Sequence, residues 1–172
     1  MKITFNKSAP GAHGIALSEG RQIGTVVQVS TLGSQPAFNP GEPAVDSLGV
    51  VIQLVGGGTV AKKMRVSDHP MSALHQYLEA TLPDPDLYGG DDPLPLTLGR
   101  PVAVEISMNG RFPRIESFHR PEDFEISGAP AVPTSNLIMF PDITELTRES
   151  GKALFLKLHR DIRGWLSSRV RA

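Results

Sequence analysis

The chain contains no cysteine. That excludes disulfides, thiolate nucleophiles and thiolate metal ligands, and it fits a reducing compartment such as the cytoplasm. No stretch approaches the ~20 consecutive apolar residues of a membrane-spanning helix. The opening decapeptide, MKITFNKSAP, carries no apolar export core, so a soluble, unexported protein is expected. Aromatic residues make up only 6% of the chain, with a single Trp, too few for an extensive base-stacking platform. Neither sign of charge dominates. Lys and Arg number 17 against 18 Asp and Glu, and the net of −1 argues against a strongly basic nucleic-acid binder.

Catalytic patterns are missing as well. The five His, at positions 13, 69, 75, 119 and 159, do not stand at metal-ligand spacing with a second ligand. There is no nucleophile elbow and no paired-carboxylate motif. Gly56-Gly57-Gly58 is followed by neither Lys-Ser nor Lys-Thr, so it reads as a hairpin turn rather than a phosphate loop. The Asp-rich stretch 83–95 lacks the spacing and closing Glu of an EF-hand. No catalytic residue, cofactor or metal is expected, and a binding module is expected rather than an enzyme.

Glycine and proline are abundant, at 17 and 15 residues, which suits a turn-rich β domain and not a helical bundle. A hydrophobic content of 40% in 172 residues supports one domain with a core plus an appended element. Residues 1–19 read as an extended arm, with a short strand at Ile3–Phe5. From Gly20, Ile23, Thr25, Val27 and Val29 alternate with Gly24, Val26, Gln28 and Ser30, predicting a first strand that ends in a turn at Leu32-Gly33-Ser34-Gln35. Three prolines, Pro36, Pro40 and Pro43, make the next stretch a loop.

Ser47–Val55 and Thr59–Ser67 read as the second and third strands. In the third, Val60, Lys62, Met64 and Val66 oppose Ala61, Lys63, Arg65 and Ser67. A helix follows Pro70, with Met71, Leu74, Tyr77, Leu78 and Leu82 on one face and Ser67 or Asp68 as its cap. Pro83 ends it, and residues 83–95 form an acidic, proline-rich loop. A fourth strand carries Val102, Val104, Ile106 and Met108. Asn109-Gly110 is the strongest hairpin signal in the chain. The returning strand, Arg111–Arg120, sets Phe112, Arg114, Glu116 and Phe118 opposite Pro113, Ile115, Ser117 and His119. Three strands, a helix and two strands is the order of an OB-fold, so a mainly β, five-stranded OB-like barrel over residues 20–143 is expected.

Residues 144–172 read as an amphipathic C-terminal helix with a stripe of Leu154, Leu158, Ile162, Trp165 or Leu166, and Val170. Gly151 and Gly164 are its weak points. Residues 152–172 hold six Lys and Arg against Asp161, a net of +5, leaving 11 basic and 17 acidic residues in the rest. A basic tail therefore follows a mildly acidic body.

The order of motifs resembles a family of small phage and prophage proteins. It runs Gly24–Val29 with Leu32-Gly33-Ser34-Gln35 and Phe38, then Val50–Val55, a basic strand Lys62–Arg65 and a helix Ser72–Leu78. Leu98-Gly99-Arg100-Pro101-Val102, Arg114–Ser117 and Asn136–Phe140 continue it, so the match spans residues 17–145. The resemblance implies an OB-like protein encoded among replication and recombination genes, working in the bacterial host cytoplasm on single-stranded DNA. The long 83–95 segment and a basic helix in place of an acidic partner-binding tail depart from that pattern.

The first expectation is therefore non-sequence-specific binding of single-stranded DNA. Lys62, Lys63, Arg65, Arg100, Arg111 and Arg114 would hold phosphates, and Phe38 or Phe112 would stack on bases. Lys63 and Arg65 stand out because they share a strand face with no acidic residue in the strand. The alternative is a protein-interaction adaptor or inhibitor, with a phage or host replication or recombination protein as partner, or a homo-oligomer joined through the last helix. A metal-dependent nuclease, supported only by the Asp-rich loop, ranks third.

Overall fold

In a computed structural model, residues 19–37, 39–88, 92–140 and 149–169 are described. The expected arm up to residue 18, Phe38, the Gly-Gly-Asp at 89–91, residues 141–148 and Val170 lie outside them. The protein is mainly β. Strands β1 (Gly20–Gln35), β2 (Val45–Leu54) and β3 (Thr59–Arg65) precede helix α1 (Ala73–Thr81). Short helices α2 (Pro85–Tyr88) and α3 (Leu94–Thr97) lead to β4 (Pro101–Asn109) and β5 (Phe112–His119). Helix α4 (Asp123–Ile126), strand β6 (Ile138–Phe140) and helices α5 (Glu149–Lys157) and α6 (Arg160–Ser167) complete the order.

The hydrogen-bonded path runs β3-β2-β1-β4-β5, antiparallel throughout, and β6 adds to β1 in parallel. It is an open path: among the described residues no backbone ladder joins β3 to β5. β1 serves two partners along one edge, β4 over Gly20–Thr25 and β6 over Gln28–Ser30. A register shift between Val26 and Gln28 marks the change of partner.

That bulge decides which side chains face which core. Val26 and Val29 join the inner core with Leu48, Val50, Ile52, Val60, Met64, Val104, Ile115 and Phe118. Val27, the extra residue, joins an outer cluster with Leu32, Val51, Ile138, Leu158, Ile162 and Leu166. Strict alternation along the first strand therefore breaks at the bulge. The predicted turn at Leu32–Gln35 is also corrected: β1 continues through it, bending at a second register shift between Thr31 and Gly33, where Gly33 takes φ 66°. A third shift, beside Glu105 and Ile106 of β4, leaves Glu116 unpaired in β5. As a result Phe118 turns inward with Ile115, against the predicted grouping with Phe112.

Helix α1 closes one side of the inner core with Leu74, Tyr77 and Leu78, as the helical spacing predicts, while Met71 stays exposed. Its cap is Ser72, whose Oγ accepts from His75 N at 3.1 Å, rather than Ser67 or Asp68. Tyr77 is fully buried, packs edge-on to Phe118 with ring centroids 5.1 Å apart, and donates to Thr97 Oγ1 at 2.6 Å. Burial pushes its phenol well above the usual tyrosine range, so the hydroxyl stays a donor. Arg120 donates to the carbonyls of Glu79 and Leu82 at 2.8 and 3.0 Å, satisfying acceptors that the end of α1 leaves open. The stretch read as one acidic loop carries α2 and α3.

The C-terminal helix is two helices. They break at Leu158-His159, while Gly151 and Gly164 lie inside α5 and α6. Ile162 and Leu166 are fully buried on the outer face of β1 and β2, so the apolar stripe is covered within the chain. Gly49 of β2 makes this close approach possible: a Cβ there would collide with Ile162 Cδ1 and come 3.3 Å from the Trp165 ring. Substituting Gly ordinarily helps a strand. Here Gly49→Val is expected to destabilise the protein by about 1–3 kcal/mol through overpacking, as measured by urea unfolding.

Candidate nucleic-acid interface

The predicted cations divide between different surfaces. β3 alternates, so Val60, Lys62 and Met64 face inward while Ala61, Lys63 and Arg65 face outward. Lys62 is half-buried and donates from Nζ to the Ile115 carbonyl of β5 at 2.9 Å. This bond spans the two ends of the sheet path where no ladder forms. Burial lowers the Lys62 pKa, and Arg114 nearby pushes the same way. Its ammonium is thus committed to the seam rather than presented beside Lys63 and Arg65.

Lys63 and Arg65 are exposed. They sit opposite Gly49 and Ser47 of β2, on the sheet face that carries α6. Lys63 Nζ lies 5.9 Å from the centroid of the Trp165 ring. The cationic strand and the basic C-terminal helix, widely separated in sequence, therefore meet at one contact.

Arg111 lies in the β4–β5 turn, where Gly110 takes φ 64° as the Asn109-Gly110 signal predicts, and Phe112 opens β5. Phe112 is 63% exposed, the one predicted stacking residue among the described residues, since Phe38 lies outside them. Arg114 is exposed and its Nε stands 3.5 Å from Glu116 Oε1. That carboxylate also accepts from Ser107 Oγ at 2.5 Å, which with Arg114 lowers its pKa. Arg100 is half-buried next to Gly99, and its carbonyl accepts from Val26 N at 3.0 Å. Its backbone joins β1 at the start of β4, which stands three strands from β3 along the sheet path.

Two residues that matter here are silent in the sequence reading. Gln28 of β1 reaches the break between α5 and α6 with both ends of its carboxamide: Oε1 accepts from His159 N at 2.8 Å and Nε2 donates to the Lys157 carbonyl at 3.2 Å. Gln35, almost fully buried, donates to the Trp165 carbonyl at 2.8 Å. Two glutamines of one strand thus hold the start and the end of α6. Helical spacing leaves either Trp165 or Leu166 for one stripe position. Leu166 takes the buried position, four residues after Ile162, and Trp165 is left half-buried on the flank toward β3.

A concave region of about 540 Å³ lies elsewhere, between α1 and the end of β5, lined by Gln76, Glu79, Phe118, His119 and Arg120. Its Arg120 guanidinium is spent on α1 carbonyls. Among the described residues no group of three or more His, Asp or Glu gathers as metal ligands do, and no helix is long and apolar enough to cross a membrane.

His159 caps α6: its Nδ1 accepts from Asp161 N at 3.1 Å, which requires the neutral ring. Burial lowers the His159 pKa, outweighing the pull of Asp161, and Arg160 and Arg163 add to the lowering. A ring whose folded pKa lies below its unfolded value loses stability as pH falls below the unfolded value of ~6.5. Thermal unfolding from pH 7.5 to 5.5 is therefore expected to show falling stability, with a shallower slope in His159→Asn, which keeps a capping acceptor that does not titrate.

No protein-family model matches the chain and no curated protein matches it, so sheet geometry and surface chemistry carry the functional reading.

Proposed function

We propose that this protein binds single-stranded DNA, without sequence preference, on the outer face of an OB-type sheet. The observation that carries the reading is the strand path. β1 lies between β2 and β4, α1 falls between β3 and β4, and the path's free ends meet through Lys62 and the Ile115 carbonyl. This order, with one side-chain hydrogen bond between the open ends of the path, supports an OB-type reading. In such sheets the outer face of the second and third strands, with the β1–β2 and β4–β5 connections, takes oligonucleotides.

The chemistry at those places suits a phosphate chain. Lys63 and Arg65 are exposed on the third strand, and Arg111 and Phe112 stand at the β4–β5 turn. Exposed cations hold phosphates, and an exposed aromatic ring stacks on a base of any identity. Lys62 supports the seam, and Arg114 shares its charge with Glu116. The resemblance to phage replication and recombination proteins agrees with this reading. The rival adaptor reading loses its best surface, because the C-terminal stripe is already packed on the sheet.

Fluorescence anisotropy with labelled oligo-dT tests the proposal. Binding is expected at micromolar protein and low salt, weakening steeply as salt rises. Replacing both Lys63 and Arg65 by Ala is expected to weaken binding about ten-fold or more and to reduce the log–log salt slope by roughly 1.4, at ~0.7 per lost phosphate contact. No binding at low salt would refute the function. An unchanged salt slope in the double variant would remove β3 from the interface.

A further inference from the structure

We infer that helix α6 is one wall of the DNA groove and that Trp165 is its base-stacking residue. This rests on the single-stranded DNA reading above. On the outer face of an OB-type sheet, the second strand ordinarily shares the ligand platform with the third. Here β2 cannot: Ile162 sits on Gly49, and Val51 is buried in the outer cluster with Ile162 and Leu166. The exposed part of the platform is therefore narrowed to β3, with α6 rising beside it. The side chain that bounds this strip is Trp165, packed near Gly49 and facing Lys63.

The C-terminal helices add positive charge near this strip. Arg160 on α6 and Lys157 at the end of α5 are exposed, and Arg169 follows α6 with its Nη1 on the Leu166 carbonyl. Asp161 is the only acidic residue within 152–169; it lies 3.7 Å from Arg160 and, four residues before Trp165, shares the Trp165 side of α6. The two glutamine contacts at its ends keep α6 in place, so the ring is pre-positioned rather than recruited. In the free protein the Lys63 ammonium lies over the Trp165 ring. A base arriving on the ring displaces that ammonium toward the adjoining phosphate, replacing a cation–π contact by one stacking contact and one ion pair. Both partners of the contact thereby serve the same nucleotide.

The chain has a single Trp, so its own emission reports on the event. Unlabelled oligo-dT is titrated into the full chain while tryptophan emission is followed, in parallel with anisotropy of the labelled oligonucleotide. Emission is expected to be quenched along the same isotherm. Trp165→Leu is expected to weaken binding about five-fold or more, Trp165→Phe to retain most of the affinity, and thermal melts confirm that each variant is folded. Rescue by an aromatic ring but not by an aliphatic one separates stacking from packing. Three results would overturn the inference. Anisotropy could rise with emission unchanged and with full affinity in Trp165→Leu, which leaves the β3 interface standing without α6. Emission could shift to the red without quenching, which means that DNA expels the helix. Absence of any anisotropy change would remove both the inference and the function beneath it.

Discussion

The carboxamide of Gln28 joins the sheet to the C-terminal helices, and the outer surface of the protein depends on that junction. Its two hydrogen bonds satisfy the last carbonyl of α5 and the amide of His159 at the start of α6. Helix ends leave such groups unpaired, and burying them without partners is costly. With the break anchored on β1 and the Trp165 carbonyl held by Gln35, the stripe of Leu158, Ile162 and Leu166 can only face the sheet. β1 is then covered on both faces and paired along both edges over much of its length.

This two-sided burial sorts the charges. Lys62 stands on the strand face that carries Val60 and Met64 and is tolerated there because its ammonium finds a carbonyl across the seam. A cation in that position ties β3 to β5 across the open ends of the sheet path. One residue later, Lys63 points the opposite way, toward the C-terminal helix. The mildly acidic body and the basic tail seen in composition are thus not two separate regions: the tail is folded onto the body, next to its most cationic strand. A net charge near zero conceals a local concentration of positive charge, which is what phosphate binding requires.

Much of this fold is legible in the amino-acid order because strands and turns are encoded locally. Val-rich alternation marks β2 and β4, Asn109-Gly110 marks the hairpin, and Leu74, Tyr77 and Leu78 mark α1. What escapes is whatever depends on one inserted residue or one distant partner. The bulges at Val27 and Glu116 reverse the faces of Val29 and Phe118, and no local pattern announces them. Within the candidate site, period-two alternation places Lys63 with Arg65 and separates them from Lys62. It does not show that Lys62 spans a seam, since Ile115 lies 53 residues on. Nor can it bring Trp165 to Lys63, because that contact arises only when a glycine in β2 lets a helix settle on the sheet.

Under the proposed function, single-stranded DNA runs along β3 between the C-terminal helix and the β4–β5 turn. Ultraviolet cross-linking of the full chain to oligo-dT, followed by peptide mapping, tests it most directly. Cross-links are expected in the peptides holding Trp165 and Phe112, lost at high salt. Cross-links confined to the exposed Phe124 of α4 or to the α1 side of the molecule would contradict it.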